Sequence, residues 1–532
     1  MTEILRERVI TSFGLTPDQR DAAIERDRDV VVTAGAGSGK TRTLVARYAS
    51  LLADGLSPRA VVAVTFTEKA AREMRSRVRQ ALTDLLKQAS TEEERQRWIA
   101  VNSEMDAARI GTIHSLCAEI LRAHPAEAEI DPKFDVLDEG LTAALRMNMI
   151  DETITVLAGQ PEFSILFQHF DIAGLKSLLG FLLEHRLEAQ ETFEKSFDSV
   201  QVVSRAIRDG MQHEAIYGCI QELRSFSPPS LLLDAGDKLA QQVQELLALW
   251  SDAENALAQN DPVACAGFLY KARREKMKGN IGSKTSRAKA IVADVQAAYD
   301  ECLNPIVGGK GANDPPPDRE SENRFLSLYP IIKAVFGLLA SAYQNALCQR
   351  RALDFDDLES GAARLLKIPE VRQHWQAEIA SLLVDEFQDT NERQRQIVEA
   401  LAGAPGRLFV VGDARQSIYR FRRADVTVFR SIQQRVRTQG GLVIDLDQTY
   451  RAHEPLLQAT GDLLTTVMGT GDDTSRPYYV PFSPLHAVRK TEPEYISHPH
   501  IEFVLGAGED TASARPLAAR ALAGRLLELK DQ

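Results

Sequence analysis

The chain has 532 residues, of which 44% are apolar and 26% charged, and its formal net charge is −12 at pH 7. This length supports two or more hydrophobic cores, and the composition excludes a disordered chain. The acidic balance argues against a protein that coats nucleic acid nonspecifically, but it leaves room for a narrow basic groove. Because the first residues carry charges of both signs and no apolar run is long enough to span a bilayer, we expect a cytoplasmic protein without a membrane partner.

Short apolar β-type runs alternate with helical stretches in the first part of the chain. In order they are DVVVTAG, KTRTLVARYASLLADG, RAVVAVTF and TEKAAREMRSRVRQALTDLL. From about Leu141 to about Arg350 the pattern has a helical period, interrupted by a predicted loop at VGGKGANDPPPDRESEN. The β-type runs return at SLLVDEFQD, RLFVVGD and GLVIDLDQTY. This order predicts an α/β domain with a parallel sheet that is split by a long helical insertion.

The segment VVVTAGAGSGKTRTLVARY has the strand, glycine-rich loop and helix of a phosphate-binding loop. The first position of the strict pattern is Ala34 instead of glycine. That position lies where the strand ends and does not require positive φ, whereas Gly37 and Gly39 lie inside the turn. A chance glycine-rich turn is the alternative. The predicted nucleotide-binding residues of the loop are Ala34, Gly35, Ala36, Gly37, Ser38, Gly39, Lys40 and Thr41.

Chemistry at this loop needs charge and a metal ion. Backbone N–H groups of the loop and the helix N-terminus would hold the β-phosphate, with Lys40 as the point charge and the Thr41 hydroxyl on Mg²⁺. The segment LLVDEFQDT supplies acids at the end of a predicted strand. There Asp385 would hold Mg²⁺ and Glu386 would deprotonate an attacking water. Taken alone such a segment is more often a surface acidic pair, but together with the loop it predicts a nucleoside triphosphatase.

Aromatic and guanidinium groups alternate in the stretch RLFVVGDARQSIYRFRRADVTVF. Such a loop at the end of an α/β sheet suits stacking on unpaired bases, with arginine on phosphates. The alternative is the start of an amphipathic helix whose Phe421 packs in the core. The five cysteines are scattered and form no C-x-x-C pair, so they indicate neither a metal site nor a disulfide framework.

Seven blocks of the chain resemble the UvrD/Rep-type superfamily-one DNA helicases, and they are most similar to the RecB/AddA branch. The blocks are LTPDQRDAA, AGAGSGKTRT, VAVTFTEKAAREM, ARIGTIHSLCAEILR, LLVDEFQDTN, LFVVGDARQSIYRFRRADV and LDQTYRAHEPL. The phrases FDVLDE and LDFDDLE are typical of that branch. This resemblance implies a RecA-like motor that uses ATP and Mg²⁺.

The resemblance also implies roles for single residues at the nucleotide. Gln19 would read the adenine edge, and Arg42 and Tyr450 would sandwich the base. The groups around the β- and γ-phosphates would be Lys40, Gln416 and Arg451. The remaining metal and catalytic residues would be Thr41, Asp385 and Glu386.

On the nucleic-acid side, the resemblance implies a track for single-stranded DNA. Its residues would be Phe66, Thr112, His114, Tyr419, Phe421 and Arg422. Glu68 stands where many relatives have Asn, and Phe421 where many have Trp; an acid near the track would weaken DNA binding. For His114 alone, a packed or capping histidine is the alternative. The basic run from Lys271, KARREKMKGNIGSKTSRAK, suits a duplex backbone or a solvated helix face.

The predicted domains follow from the blocks and the helical insertion. They are the first RecA-like domain in two parts, 1–140 and 351–445, a 1B-like helical insertion, 141–350, and an incomplete second RecA-like domain, 446–532. We interpret HIEFVLGAGEDTASARPLAARALAGRLLELKDQ as a strand and a helix that open the second domain. Because relatives carry further motor blocks, we expect the N-terminal portion of a larger motor.

Two hypotheses of function follow. The first is an ATP-dependent 3′→5′ DNA helicase or translocase of repair and recombination, whose partners are single-stranded DNA, duplex junctions and a second helicase/nuclease subunit. The second is a nucleotide-gated single-strand-binding module that does not unwind DNA by itself.

Overall fold

The computed structural model describes residues 2–195, 198–225, 238–277, 287–311, 314–420, 424–471, 478–491, 500–508 and 510–531. The chain forms two compact units. The sheet unit comprises Met1–Phe134 and Phe355–Gln532, and the helical unit comprises Asp135–Asp354. These limits lie a few residues outside the predicted insertion at 141–350, whose assignment as a 1B-like domain stays a prediction.

The sheet unit is built on parallel strands. Its strands are β1 (Val30–Ala34), β2 (Val61–Thr65), β3 (Ile110–Thr112), β6 (Ser381–Val384), β7 (Leu408–Gly412), β8 (Leu442–Leu446), β9 (Gln448–His453) and β10 (His486–Arg489). Among the described residues six of them form one sheet in the order β3-β2-β6-β7-β1-β8, with every pairing parallel. Strands β9 and β10 pair separately.

Helices cover the large sheet. Those of the sheet unit are α1 (Thr2–Ser12), α2 (Pro17–Ile24), α3 (Lys40–Ala53), α4 (Glu68–Gln88), α5 (Glu92–Ser103), α6 (Ile113–Ala123), α7 (Pro125–Ala128), α19 (Phe355–Leu365), α20 (Pro369–Glu378), α21 (Glu392–Ala402), α22 (Val426–Thr438), α23 (Glu454–Met468) and α24 (Thr511–Asp531). Strands buried on both faces read as continuous apolar runs, as VVVTA and LFVVG do. Val32 pairs with Val411 on one side and Ile444 on the other, so β1 is an interior strand whose neighbours are β7 and β8.

The structure corrects two predictions of strands. The run GLVIDLDQTY was predicted as one β-type segment, but it divides into β8 and β9. Leu446 is paired with Ala34, the last residue of β1, so the chain has no further sheet partner there and leaves the large sheet. The second correction concerns HIEFVL, since the described residues 500–508 form no strand and Phe503 and Leu505 are exposed. The helix predicted after it is present as α24.

The helical unit confirms the long helical stretch predicted between the two halves of the sheet. Its elements are β4 (Asp135–Val136), α8 (Glu139–Ala158), α9 (Ser164–His169), α10 (Ile172–Glu184), α11 (Arg186–Glu194), α12 (Ser199–Met211), α13 (Glu214–Ser225), α14 (Lys238–Ala258), α15 (Pro262–Lys271), α16 (Arg287–Cys302), α17 (Asn304–Val307), α18 (Arg319–Gln349) and β5 (Ala352–Leu353). Helix α18 already begins at Arg319, inside the predicted loop, because Asp318 caps it by accepting from the Ser321 N–H.

The two branch-typical phrases meet where the chain enters and leaves the helical unit. Strand β4 lies in FDVLDE, strand β5 ends on the first residue of LDFDDLE, and the two pair in parallel, Val136 opposite Leu353. The next residue, Asp354, is buried and accepts a hydrogen bond of 2.9 Å from the Tyr343 hydroxyl. Two segments far apart in sequence therefore form one short ladder.

Two further features of the helical unit bear on the predictions. By length and apolarity α18 would suit a bilayer, as would the bent pair formed by 161–169 and 172–184; no other described helix does. Both contribute side chains, including Leu339 and Leu183, to one buried core.

In the basic run that starts at Lys271, Arg273 pairs with Asp300 at 2.6 Å, while residues 278–286 lie outside the described residues.

Candidate functional site

The glycine-rich loop joins the end of the interior strand β1 to the start of α3. Positive φ angles occur at Gly37 (78°) and Gly39 (88°), whereas Ala34 is the last residue of the strand. The prediction that the first position of the loop does not require positive φ is therefore confirmed, because Ala34 has a strand conformation that any residue can adopt. A Cβ added at Gly39 would also lie 2.7 Å from Gln19 Nε2. The loop is closed by the Ser38 hydroxyl, which donates to the Gly35 carbonyl at 2.8 Å.

Three predicted catalytic residues meet at the carboxyl edge of the sheet. Lys40 Nζ, in the first turn of α3, lies 3.1 Å from Glu386 Oε2 and 3.4 Å from Gln416 Oε1. Only 13% of the Lys40 side chain is exposed. Because the three residues come from separate strand ends, the parallel topology brings them together. Their roles in catalysis stay predictions.

The acid turn, residues 385–390, follows β6. Asp385 is half-buried, and burial raises its pKa to about 6, with the neighbouring Glu386 charge adding to the effect. Glu386 has a φ of 52°, which is rare for a non-glycine residue, and its N–H donates to Asp385 Oδ1 at 3.0 Å. This strained turn holds two carboxyl groups side by side.

The acid turn fits a magnesium ion bound together with phosphates. Among the described residues there is no group of three or more His, Cys, Asp or Glu side chains that could hold a metal alone. Mg²⁺ bound to a nucleotide keeps several waters and needs only one or two protein oxygens. A carboxylate whose ionisation is disfavoured, as at Asp385, gains from a nearby cation. Asp385 and the Thr41 hydroxyl are the predicted ligands.

Sequence reasoning missed Gln388, which holds the carboxyl group of Glu386 in place. Its amide Nε2 donates to Glu386 Oε2 at 2.8 Å, and its Oε1 accepts from the Asp413 N–H at 3.0 Å. Gln416 Nε2 donates to the side chain of the same residue, at Asp413 Oδ2, over 2.8 Å. The signal available in the sequence was a polar residue two positions after the acids in a buried stretch.

Gln19 supports the loop from the side of α2. Its side chain is buried and forms a capping box with Thr16, and its Nε2 donates to the Ser38 carbonyl at 2.8 Å. Arg42 is exposed in the first turns of α3, and its guanidinium lies near Gly14. Contact of Gln19 and Arg42 with adenine stays a prediction.

Strand β9 lies against the same loop. The Tyr450 N–H donates to the Gly37 carbonyl at 3.0 Å, and the Thr449 hydroxyl donates to the Ala36 carbonyl at 2.8 Å. The Tyr450 side chain is exposed, and a Cβ added at Gly37 would lie 2.5 Å from Arg451 Cβ. Both residues predicted from the QTYR block are therefore next to the loop, and Thr449 is a contact that the sequence did not indicate.

Part of the predicted DNA track lies at this edge as well. The Phe66 and Tyr419 rings pack with centroids 4.8 Å apart and an interplanar angle of 36°. Thr112 ends β3, and its hydroxyl donates to Glu68 at 3.1 Å. Two further predicted residues of the track, Phe421 and Arg422, lie outside the described residues.

His114 is held at one ring nitrogen and at one ring face. Its Nε2 lies 2.9 Å from Glu359 Oε1, and its ring stacks on Phe355 with centroids 4.2 Å apart. A quarter of the side chain, 26%, remains exposed. The packed interpretation and the DNA-contact interpretation are both compatible with this position.

A parallel sheet with a phosphate-binding loop at the end of the interior strand β1 and paired acids at the end of β6, two strands away, defines a P-loop nucleoside triphosphatase fold. The chain also matches the profile of the UvrD/REP helicase N-terminal domain over residues 15–263 and 331–437, and it belongs to this family. The family match and the parallel sheet confirm the predicted resemblance and the predicted fold class.

The chain is similar to curated proteins that are named as subunits of an ATP-dependent helicase/nuclease. The relative from Ligilactobacillus salivarius is 26% identical over 78% of this chain and 36% of its own length. That from Syntrophomonas wolfei is 26% identical over 88% of this chain and 39% of its own length. The relative from Listeria monocytogenes serotype 4a is 29% identical over 85% of this chain and 39% of its own length. The chain therefore spans under two fifths of the length of these relatives.

Proposed function

We propose that this chain hydrolyses ATP with Mg²⁺ and uses the cycle to move on single-stranded DNA, as part of a 3′→5′ DNA helicase or translocase of repair and recombination. The observation that carries the proposal is the meeting of Lys40 with Glu386 and Gln416 beside the glycine-rich loop. Transfer of a phosphoryl group needs a fixed cation, a base and a γ-phosphate contact in one place, and these three groups supply them. The direction of movement rests on the family resemblance.

The proposed chemistry follows from the side chains at the edge of the sheet. Loop N–H groups and Lys40 bind the phosphates, and Arg451 adds a guanidinium from β9. Magnesium held by Thr41 and Asp385 would neutralise phosphate charge. Glu386, oriented by Gln388, accepts the proton of the attacking water.

A short loop supports the coupling between nucleotide and DNA. Gln416 at the phosphates and Tyr419 at the aromatic pair are three residues apart. A shift of Gln416 on hydrolysis would therefore move Tyr419 and change its stacking on a base. Unpaired bases can stack on aromatic rings of this kind, which favours single strands over duplex.

The relatives support the helicase assignment and a partner. Each is named as one subunit of an ATP-dependent helicase/nuclease. We therefore propose that this chain also binds a second subunit. Duplex junctions are the proposed DNA substrate of the assembly.

ATP hydrolysis with and without a single-stranded oligonucleotide tests the proposal. We expect DNA to stimulate hydrolysis and Glu386→Gln to lower it by about 100-fold while ATP still binds, the usual scale for the loss of a general base. Glu370→Gln makes the same change at an exposed position of α20 and should leave the rate unchanged. Parental hydrolysis in the Glu386→Gln variant would contradict the assigned base.

Strand displacement tests movement and direction. At saturating ATP, displacement from a 3′-tailed duplex and not from a 5′-tailed one is expected of a 3′→5′ motor, with Lys40→Ala as the inactive control. ATP-dependent binding of single strands without displacement would instead favour the nucleotide-gated binding module.

A further inference from the structure

Glu359 is a buried carboxylate that the site described above does not use. It lies on α19, in the phrase LDFDDLE, and only 4% of the residue is exposed. Its Oε1 accepts from Gln394 Nε2 at 2.6 Å and lies 2.9 Å from His114 Nε2. Its Oε2 accepts from Asn391 Nδ2 at 3.0 Å, and the Arg393 guanidinium lies 3.9 Å away. Both oxygens are therefore engaged, and their partners come from two different elements.

One side of this network leads to the nucleotide. Asn391 directly follows the acid turn and is the N-cap of α21, where it forms a capping box with Gln394. The N–H of Asp425 donates to the carbonyl of Thr390, the last residue of the acid turn. Four residues therefore join Glu386 to Asn391, and the last of them is held by this hydrogen bond.

The other side of the network leads to the predicted DNA track. His114 is the second residue of α6 and lies two residues after Thr112, which ends strand β3 and caps that helix. Phe355, four residues before Glu359 on α19, stacks on the His114 ring. Glu359 and Phe355 thus fix the imidazole at its nitrogen and at its face, while part of the side chain stays exposed.

We infer that Glu359 is a positioning residue that ties His114 to the acid turn, so that nucleotide binding changes the grip on single-stranded DNA through this carboxylate. The inference rests on the proposed function of the same edge of the sheet. A buried carboxylate is retained at a cost unless it is fully hydrogen-bonded, and this one joins two elements instead of closing a single helix turn. Hydrogen-bond networks between packed elements are one means by which coupling between two sites is carried.

The test measures how a nonhydrolysable ATP analogue with Mg²⁺ changes the Kd for a fluorescent oligothymidylate. Coupling factors between sites are commonly about 5–150-fold. We expect a factor in this range for the parent chain and a factor near one for Glu359→Gln. Glu370→Gln, the same change at an exposed position, should keep the parental factor.

A double-mutant cycle separates positioning from structural support. If Glu359 acts through His114, then His114→Ala alone should also remove the coupling, and the double variant should resemble either single variant. Additive losses in the cycle, or a lowered Tm with the parental coupling factor, would overturn the inference. Should Glu359→Gln fail to fold, Asn391→Ala removes one donor of the network and is expected to reduce the coupling factor.

The outcome also separates this inference from the proposed function. Absence of ATP hydrolysis in the parent chain would count against the motor function, yet the coupling factor is measured without hydrolysis and decides the role of Glu359. A parent chain that binds the oligothymidylate with the same Kd with and without the analogue would overturn the coupling role.

Discussion

The sheet unit contains two carboxylate sites that differ in how their charge is balanced. At the acid turn, burial and then the Glu386 charge raise the pKa of Asp385 to about 6. At Glu359, burial also raises the pKa, but hydrogen bonds from His114, Gln394 and Asn391 outweigh it and hold the pKa below its ordinary value. The first site has a surplus of negative charge, and the second is satisfied by the protein itself.

This difference teaches how to distinguish a ligand site from a structural or positioning site. A buried carboxylate with enough donors needs nothing more, because its oxygens already have partners. Two adjacent carboxyl groups with Lys40 as their close cation gain from additional positive charge, such as a divalent ion. We call the two carboxyl groups of the acid turn together with Lys40 the unbalanced site. It is the site that we assign to the nucleotide and Mg²⁺.

The largest expected effect comes from removing the close cation of the unbalanced site. Lys40→Ala should lower the affinity for ATP with Mg²⁺ by at least about 100-fold, or ~3 kcal/mol, because the phosphates then face two carboxyl groups without it. Titration with a fluorescent ATP analogue measures this. Lys87→Ala, an exposed lysine of α4, is the matched control. Equal affinity of the Lys40 variant and the parent would remove the loop from the nucleotide site.

Asp385→Asn should stabilise the protein without ligand while it weakens Mg²⁺-dependent nucleotide binding. The folded-state pKa of about 6 exceeds the ordinary value of 3.8, so the folded state holds the proton more tightly and stability falls as the pH rises between these values. The loss of stability that comes from ionising Asp385 in the folded state is absent below about pH 4 and complete above about pH 6. Removing it should raise the free energy of unfolding at pH 8 by up to about 3 kcal/mol.

Urea unfolding of the parent and the Asp385→Asn variant at pH 8 and pH 5 measures the difference. The gain should be smaller at pH 5, where the parent already carries part of the proton. A gain of the same size at both pH values would show that the carboxyl charge is not its cause.

The aromatic pair tests whether the edge of the sheet has a second, uncharged binding surface. Phe66→Ala should weaken binding of a single-stranded oligonucleotide by about 1–3 kcal/mol, the scale for losing one stacked base, and should leave nucleotide affinity unchanged. Fluorescence anisotropy measures the DNA affinity. Phe325→Ala in the helical unit removes an exposed ring and serves as the control. Parallel losses of DNA and nucleotide binding would indicate instead that Phe66 supports the fold.

The smallest effect concerns the ion pair inside the unbalanced site. Glu386→Gln removes a charge that lies 3.1 Å from Lys40 Nζ and competes for it with phosphate. We expect the affinity for the nonhydrolysable analogue to rise by roughly threefold, since partly exposed pairs contribute about 1 kcal/mol or less. Isothermal titration calorimetry measures this. A fall in affinity would mean that Glu386 supports the loop instead of competing with the ligand.

The sequence by itself determined the local parts of the site. Strand, loop and helix are contiguous in VVVTAGAGSGKTRTLVARY, so the positive φ at Gly37 and Gly39 and the ordinary position of Ala34 followed from short-range sterics. The alternation of β-type and helical runs likewise predicted a parallel sheet, because parallel strands need helical crossovers. The helical insertion followed from its period.

The tertiary structure alone decided which polar groups are partners. Glu359 looked like one acid among several in LDFDDLE, and only packing of α19 against α6 and α21 gives it His114, Asn391 and Gln394. The division of GLVIDLDQTY depends on where β1 ends, which is far away in sequence. Hydrophobic period and turn chemistry act over a few residues, whereas hydrogen-bond partners hundreds of residues apart are chosen by how the elements pack.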